Sequence, residues 1–177
     1  ELFNNNNEIH LEIGMGKGDF IISKALNNPD INFIGLEKYT SIVARAVKKL
    51  EALDLPNLKI INGDALNLNN IFEKEISTIY LNFSDPWPKA RHSKRRLTSD
   101  TFLNIYDDVF KNKCVILQKT DNTNLFESSI ISLTNYGYKI EDMSLDLWST
   151  DKFYEETEYE RKFKNKGIKI NYLKATK

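Results

Sequence analysis

The part of the sequence with the most distinctive chemistry is a short loop that places an acidic side chain beside an aromatic ring. It reads Asp85-Pro86-Trp87-Pro88, and Lys89 follows directly. An aromatic ring can stack on a nucleobase, and a neighbouring carboxylate can accept hydrogen bonds from the N–H groups of that base. Tryptophan is also a common core side chain, so the ring could instead fill the interior of the protein. We interpret the loop as a base-binding device.

A basic segment, residues 89–96, directly follows this loop and carries five Lys or Arg side chains without an acidic one. Three of the five arginines of the chain lie in it, and arginine binds phosphate through two parallel hydrogen bonds. A second basic segment, residues 161–177, contrasts with an otherwise acidic chain. Although the formal net charge is zero, this distribution predicts a local contact with a polyanion. An ordinary solvated loop is the alternative.

A glycine cluster follows the first predicted strand and reads Gly14-Met15-Gly16-Lys17-Gly18, with Glu12 just before it. Glycines let the backbone turn tightly and approach a ligand, and the start of the next helix offers free N–H groups. The spacing Gly-x-Gly-x-Gly differs from the Gly-x-Gly-x-x-Gly of dinucleotide-binding loops, which counts against a nicotinamide cofactor. An ordinary strand–helix turn would explain these glycines equally well.

Two further carboxylates stand at the ends of the next two predicted strands. Glu37 ends the second strand, 23 residues after Gly14, and Asp64 follows the third strand. Glu37 could accept hydrogen bonds from both hydroxyls of a ribose, and Asp64 could accept one from an adenine amino group. Each carboxylate taken alone would usually be a solvated loop residue. Together with the glycine cluster, they predict a pocket for a nucleoside.

The hydrophobic pattern around these residues predicts strands that alternate with helices. Predicted strands cover residues 9–13, 31–37, 58–61, 78–83 and 114–118, and segments around 140–147 and 168–173 form a final antiparallel pair. Four helices are predicted. They cover residues 19–28, a segment from Thr40 or Ser41 as N-cap to about Leu53, a segment from Phe102 to Phe110, and a segment around residues 126–133 that Gly137 closes. This order is typical of a mostly parallel sheet with helices on both faces, which binds ligands at the carboxyl ends of its strands.

Length and composition limit the remaining possibilities. A chain of 177 residues fits one domain, and one cysteine indicates a reducing compartment, the cytoplasm. Two histidines are too few for a structural zinc site, so we expect no metal. We also expect no membrane contact, because no apolar run is long enough to span a bilayer. The first residue is Glu1 rather than Met, so residues 1–177 are expected to be a single domain that lacks an upstream segment.

The stretch from Asp85 to Arg96 resembles the signature of the bacterial tRNA (guanine-N7-)-methyltransferase family, a group of class I S-adenosylmethionine-dependent methyltransferases. Further stretches agree in order and spacing: Leu11 to Gly18, Gly35 to Glu37, Lys119 to Asn122, and Thr157 to Glu160 with Phe163. The resemblance covers essentially the whole chain. Gln118 departs from the family, which commonly has an aromatic residue there.

The resemblance implies a Rossmann-like α/β fold with a mostly parallel seven-stranded sheet, helices on both faces and an antiparallel C-terminal strand. It implies an enzyme that moves the methyl group of S-adenosyl-L-methionine to N7 of a guanine in the variable loop of tRNA, giving 7-methylguanosine. The residues that it assigns to the cofactor are Glu12, Gly14, Gly16, Gly18, Glu37, Asp64 and Asp85. Those that it assigns to the substrate are Lys89, Asp121, Thr157, Glu158, Tyr159 and Glu160. Its RNA contacts are Arg91, His92, Ser93, Lys94, Arg95 and Arg96.

The implied chemistry needs alignment rather than a base, because guanine N7 carries a free lone pair. Asp85, expected to be the catalytic residue, and Glu160 are candidates for selecting guanine through its N1–H and N2–H₂ donors. A nicotinamide-dependent oxidoreductase, a methyltransferase acting on an exocyclic amine, and an RNA-binding module with a relic cofactor pocket stay open as alternatives. The sequence leaves the choice between a monomer and a homodimer open.

Overall fold

The computed structural model describes residues 2–150, 157–164 and 166–177, without the side chains of residues 158, 159 and 161. The strands are β1 (Ile9–Ile13), β2 (Asn32–Glu37), β3 (Leu58–Asn62), β4 (Ile76–Asn82), β5 (Phe110–Thr120), β6 (Lys139–Ser144) and β7 (Asn171–Thr176). The helices are α1 (Asp19–Asn27), α2 (Thr40–Leu50), α3 (Asp100–Val109), α4 (Thr123–Asn135) and α5 (Glu158–Lys164). Short 3₁₀ helices cover Ala65–Asn70, Ala90–Arg95 and Leu147–Ser149.

All seven strands form one sheet in the order β3-β2-β1-β4-β5-β7-β6. The first five strands in sequence pair in parallel, whereas β7 runs antiparallel to β5 and to β6. The chain moves outward from β1 to β3 and then returns to the other side of β1 with β4, so the strand order reverses between β1 and β4. These features confirm the predicted α/β fold with a mostly parallel sheet.

Helices cover both faces of the sheet because its central strands are apolar on both sides. In β2, the side chain of Phe33 packs in one cluster with Phe20 of α1 and Ala46 of α2. Its neighbour Ile34 belongs to a second cluster, which includes Leu103 of α3. The alternation of side chains along a strand therefore builds two cores on opposite faces.

Several predicted boundaries are wrong. Phe110 begins β5 instead of ending a helix, since its backbone pairs with Ile76 of β4. The N-cap of α2 is Tyr39 rather than Thr40 or Ser41, and the hydroxyl of Thr40 instead donates to Asn62 Oδ1 at 2.8 Å.

The last strand is also displaced from its predicted range, because β7 starts at Asn171 and extends to Thr176. Ile168 precedes it in a loop, where its carbonyl accepts a hydrogen bond from the indole of Trp148 at 3.1 Å. Among the residues that the structure describes, no helix is both long and apolar enough to cross a membrane.

Candidate active site

A cleft of about 400 Å³ lies where the carboxyl ends of β1, β2 and β4 meet. A larger cavity of about 690 Å³ lies at the opposite edge of the sheet, beside Ile9 and Ser77 at the amino ends of β1 and β4. Parallel α/β sheets bind ligands at the carboxyl ends of their strands, next to the point where the strand order reverses. The smaller cleft is therefore the candidate site.

The structure brings most of the predicted cofactor residues together around this cleft. Its lining includes Glu12, Gly14, Gly16, Glu37, Asp64, Asp85, Trp87, Arg95 and Thr157. In the described part of the chain, the predicted residues that do not border it are Gly18, Lys89, Arg91, His92, Ser93, Lys94, Arg96, Asp121 and Glu160. The side chains of Glu158 and Tyr159 lie outside the described residues.

Two glycines of the loop after β1 leave the cleft open. Gly14 and Gly16 have φ angles of 74° and 58°, a backbone conformation that residues other than glycine rarely adopt. A Cβ atom at either position would meet no other atom within 4 Å, so the space beside both backbones is open for a ligand. Gly18 differs, because it is the N-cap of α1 and a Cβ there would lie 3.4 Å from Ala46.

Glu37 fixes the shape of this loop from the end of β2. Its side chain is 6% exposed, and its two oxygens accept hydrogen bonds from the backbone N–H groups of Gly16 at 3.1 Å and Tyr39 at 3.0 Å. Each carboxylate oxygen has a second lone pair that can accept from a ligand. Glu37 is therefore oriented by contacts within the protein.

Asp64 is held by contacts within the chain. One oxygen accepts from the N–H of Leu66 at 3.0 Å, and the other pairs with the ammonium of Lys38 at 2.8 Å. The hydrogen bond from Lys38 lowers the pKa of Asp64 below its ordinary value. The predicted hydrogen bond to an adenine amino group would therefore be added to contacts that already exist.

Glu12 is the most perturbed acid in the cleft. Its side chain is 2% exposed, and burial raises its pKa to about 7, although Asn82 donates to Oε1 at 2.8 Å. Within the residues that the structure describes, Glu12 Oε2 and the hydroxyl of Ser84 are buried without a hydrogen-bond partner. Buried polar atoms are normally paired, so these two atoms are available to a polar ligand in the cleft.

The loop that follows β4 carries Asp85 to the rim of the cleft. Phe83 and Trp87, on either side of Asp85, have φ angles of 51° and 42°, which are unusual for residues with side chains. Trp87 lines the cleft rather than the core. The guanidinium of Arg95 lies 4.9 Å from the centre of its ring, and His92 packs edge-on against it at 5.7 Å.

Thr157 and Glu160 form a reciprocal capping box at the start of α5. The N–H of Thr157 donates to Glu160 Oε2 at 2.6 Å, and the N–H of Glu160 donates to the Thr157 hydroxyl at 3.1 Å. Glu160 is fully buried and also pairs with Lys119 of β5, whose Nζ lies 3.0 Å from Oε1. Glu160 is thus engaged inside the protein by contacts to both of its carboxylate oxygens.

Sequence reasoning missed two contacts that hold candidate site residues, those of Lys119 with Glu160 and of Asn82 with Glu12. Lys119 lies in the stretch Lys119 to Asn122, and a lysine inside an apolar strand was the signal of a buried partner. Asn82 ends β4 directly before the loop and positions the carboxyl of Glu12. Among the described residues, no group of three His, Cys, Asp or Glu side chains could hold a metal ion.

The residues present fit a nucleoside cofactor. The cleft volume is within the range of small-ligand sites, and it combines an open glycine loop, an oriented carboxylate and two buried polar atoms without partners. Glu37 would hold hydroxyl groups, and the ionised form of Glu12 would favour a cationic group.

Two solved methyltransferase structures share this fold. A 16S rRNA methyltransferase, KamB, matches with a TM-score of 0.72 at 16% identity, over 99% of this chain and 90% of that chain. A structure described as an antibiotic related methyltransferase matches with a TM-score of 0.72 at 18% identity, over 99% of this chain and 88% of that chain. At this identity the likeness concerns the fold alone.

The sequence comparisons identify the family. A family model, Methyltransf_4, with the description "Putative methyltransferase", matches residues 6–173. The tRNA (guanine-N(7)-)-methyltransferase of Bacillus cytotoxicus is 50% identical over 99% of this chain and 82% of that protein. The protein of the same name from Listeria welshimeri is also 50% identical, over 99% of this chain and 83% of that protein. With half of its residues identical over nearly its full length, the chain belongs to the tRNA (guanine-N(7)-)-methyltransferase family.

Proposed function

We propose that this protein transfers the methyl group of S-adenosyl-L-methionine to N7 of a guanine in the variable loop of tRNA and produces 7-methylguanosine. One observation carries the proposal: Asp85 and Trp87 line the same cleft as Glu12, Glu37 and Asp64. A base-binding pair and a nucleoside-binding set of carboxylates therefore share one space. The membership of the chain in the family supports the same activity.

The cofactor half of the cleft binds and orients S-adenosyl-L-methionine. When bound, S-adenosyl-L-methionine supplies an electrophilic methyl group on a positively charged sulfur. Glu37 would hold the ribose, and the open backbone at Gly14 and Gly16 would accommodate the ligand. Burial raises the pKa of Glu12 to about 7, and the ionised form of this residue would provide a negative charge near the cationic part. Asp64 supports the adenine side together with Lys38.

The substrate half aligns the guanine. The lone pair of N7 forms the new N–C bond while the electrons of the C–S bond leave with sulfur, so no proton moves. Alignment of the three atoms can supply several kcal/mol of the lowered barrier. Asp85 accepts hydrogen bonds from guanine N–H groups and rejects adenine, which presents different donors on that edge. Trp87 supplies a face on which the base can stack.

We assign the predicted substrate residues around α5 to two roles. Thr157 lines the cleft and can contact the base, whereas Glu160 holds Thr157 and Lys119 in place. Lys89, Asp121, Glu158 and Tyr159 stay on the substrate side as part of the proposal. Arg91 and Lys94 are exposed beside the loop and suit contacts with the tRNA backbone, which position RNA without reading its sequence.

The proposal is tested by incubating the protein with S-adenosyl-L-methionine and unmodified tRNA and analysing the nucleosides by mass spectrometry. We expect 7-methylguanosine, and we expect it to disappear in the variant Asp85→Ala. An N2-methylated guanosine would favour the exocyclic-amine alternative, and no methylated product would refute the proposal. The enzyme is proposed to work in the cytoplasm, where its one cysteine stays reduced, as a monomer or a homodimer.

A further inference from the structure

The basic segment after Asp85 contains side chains that face in different directions. Arg91 and Lys94 are exposed, whereas Arg96 is half-buried and turned back toward the loop. Its Nε donates to the carbonyl of Pro86 and its Nη2 donates to the carbonyl of Trp87, both at 3.1 Å. Arg96 therefore donates two hydrogen bonds to consecutive backbone carbonyls of the loop that carries Asp85.

That loop needs external support. Phe83 and Trp87 both have positive φ angles, 51° and 42°, a conformation that persists only where the surrounding structure holds it. On the side of β5, the N–H of Phe83 donates to the carbonyl of Lys119 at 2.8 Å. At the other end of the loop, the carbonyls of Pro86 and Trp87 accept the two hydrogen bonds from the Arg96 side chain.

The orientation of Asp85 depends on this backbone. Its side chain is exposed, so packing does not fix it, and it lies between the two residues with positive φ angles. Asp85 can keep a defined direction only if the backbone on both sides of it is held. The ring of Trp87 is fixed in addition by Arg95 at 4.9 Å and by His92 at 5.7 Å.

Arginine suits this role better than lysine. The Nε and Nη2 donors lie on one edge of a rigid plane and can meet two neighbouring carbonyls at once, whereas a lysine ammonium is a single flexible point. Arg96 itself is anchored, since its N–H donates to the carbonyl of Ser93 at 3.0 Å at the end of the 3₁₀ helix Ala90–Arg95.

We propose that Arg96 is a positioning residue that holds Asp85 and Trp87 in the conformation needed for methyl transfer, and that it does not bind the tRNA backbone. This role differs from the contact with RNA that the sequence resemblance implies for Arg96. Arg91 and Lys94 keep that role. The expected loss of kcat rests on the proposed function. The conformation of the loop around Trp87 can be measured without any activity.

The kinetic test compares Arg96→Lys with Arg91→Ala, with Arg45→Lys on the exposed face of α2 as a matched control. For Arg96→Lys we expect kcat to fall about 10- to 100-fold with little change in KM for tRNA, because a loop that is slightly misplaced loses alignment rather than binding. Arg91→Ala should raise KM and reduce the salt slope of tRNA binding by about one. Arg45→Lys should change neither quantity. Circular dichroism melting establishes that each variant is folded at the assay temperature.

A second measurement needs no activity. The chain has two tryptophans, so protein labelled with 5-fluorotryptophan gives two ¹⁹F resonances, assigned with the variant Trp87→Phe. Arg96→Lys should shift or broaden the resonance of Trp87 and leave that of Trp148 unchanged. An unchanged Trp87 resonance in Arg96→Lys would overturn the proposal, and so would an unchanged kcat or a salt slope lowered by about one in Arg96→Ala. If the wild-type protein formed no 7-methylguanosine, the proposed function would fail, and the Trp87 resonance would still decide the role of Arg96.

Discussion

Lys119 and Glu160 come from β5 and α5 and form a buried ion pair, with Nζ and Oε1 3.0 Å apart and side chains 6% and 0% exposed. The pair joins the sheet to the capping box in which Glu160 also holds Thr157. Because Thr157 lines the cleft, this ion pair fixes that part of the cleft lining relative to the strands.

Removing one partner of this pair should destabilise the protein strongly. Glu160→Gln removes the carboxylate from a buried ammonium, which typically costs about 3–5 kcal/mol of unfolding free energy. Urea denaturation measures the change, and the surface pair of Glu141 and Lys174 offers the control Glu141→Gln, which should have a much smaller effect. A loss below about 1 kcal/mol in Glu160→Gln would mean that the pair does not anchor α5.

Glu12 should make the protein less stable as pH rises. Burial raises its pKa from the ordinary 4.5 to about 7, so the folded state binds its proton more tightly than the unfolded state. The stabilisation from this proton is complete below pH 4.5 and is lost as pH rises through 7. Glu12→Gln stays neutral and should exceed the wild type in stability by about 3 kcal/mol at pH 8. At pH 5 the difference should be below about 1 kcal/mol.

The measurement for Glu12 is the urea midpoint of both proteins at pH 5 and pH 8. The comparison between the two proteins isolates this residue, since every other titrating group is common to both. An equal difference at both pH values would show that Glu12 is ionised throughout. We also expect Glu12→Gln to bind the cofactor more weakly, so that the gain in stability is accompanied by a loss of function.

Glu37→Ala should weaken binding of S-adenosyl-L-methionine by roughly 1–3 kcal/mol, the range for losing a hydrogen bond to a charged group. The variant removes the ribose acceptor and releases the N–H groups of Gly16 and Tyr39. Calorimetry measures the affinity, and Glu51→Ala at the exposed end of α2 is the control. Unchanged affinity in Glu37→Ala would remove Glu37 from the cofactor site.

Asp85→Asn should lower turnover by at least about 100-fold, because one acceptor facing guanine becomes a donor facing a donor. The single-turnover rate of the wild type at saturating cofactor should stay flat between about pH 6.5 and 8.5, since N7 has no proton to lose. Rapid-quench kinetics measure both quantities. A rate that increased tenfold per pH unit over that interval would show that a base is required.

The strand-end carboxylates could be predicted because local patterns determine where strands end. Apolar residues precede Glu37 and Asp64 in sequence, and parallel strands bring such ends to one edge of the sheet. The glycine loop could be predicted for the same reason. Only the structure separates Gly18, where a Cβ atom would lie 3.4 Å from Ala46, from the two glycines beside the cleft.

The directions of individual side chains could not be predicted. Nothing in the basic segment distinguishes Arg96 from Arg91, because the difference depends on carbonyls nine and ten residues away. The ion pair of Lys119 and Glu160 joins residues that are 41 positions apart, so no local pattern carries it. The spacing of Thr157 and Glu160 is typical of a capping box. The same residues in the same order would also fit a cluster that faces a substrate, so the sequence does not distinguish the two arrangements.

The central claim is that the methyl group goes to N7 of guanine. The most direct measurement compares methyl transfer from labelled S-adenosyl-L-methionine to two transcripts of one tRNA, one made with guanosine and one with 7-deazaguanosine. The second transcript keeps the N–H groups that Asp85 would bind and lacks only the nucleophilic nitrogen. We predict label in the ordinary transcript, none in the 7-deaza transcript, and competitive inhibition by the latter. Labelling of the 7-deaza transcript at a comparable rate would contradict the account.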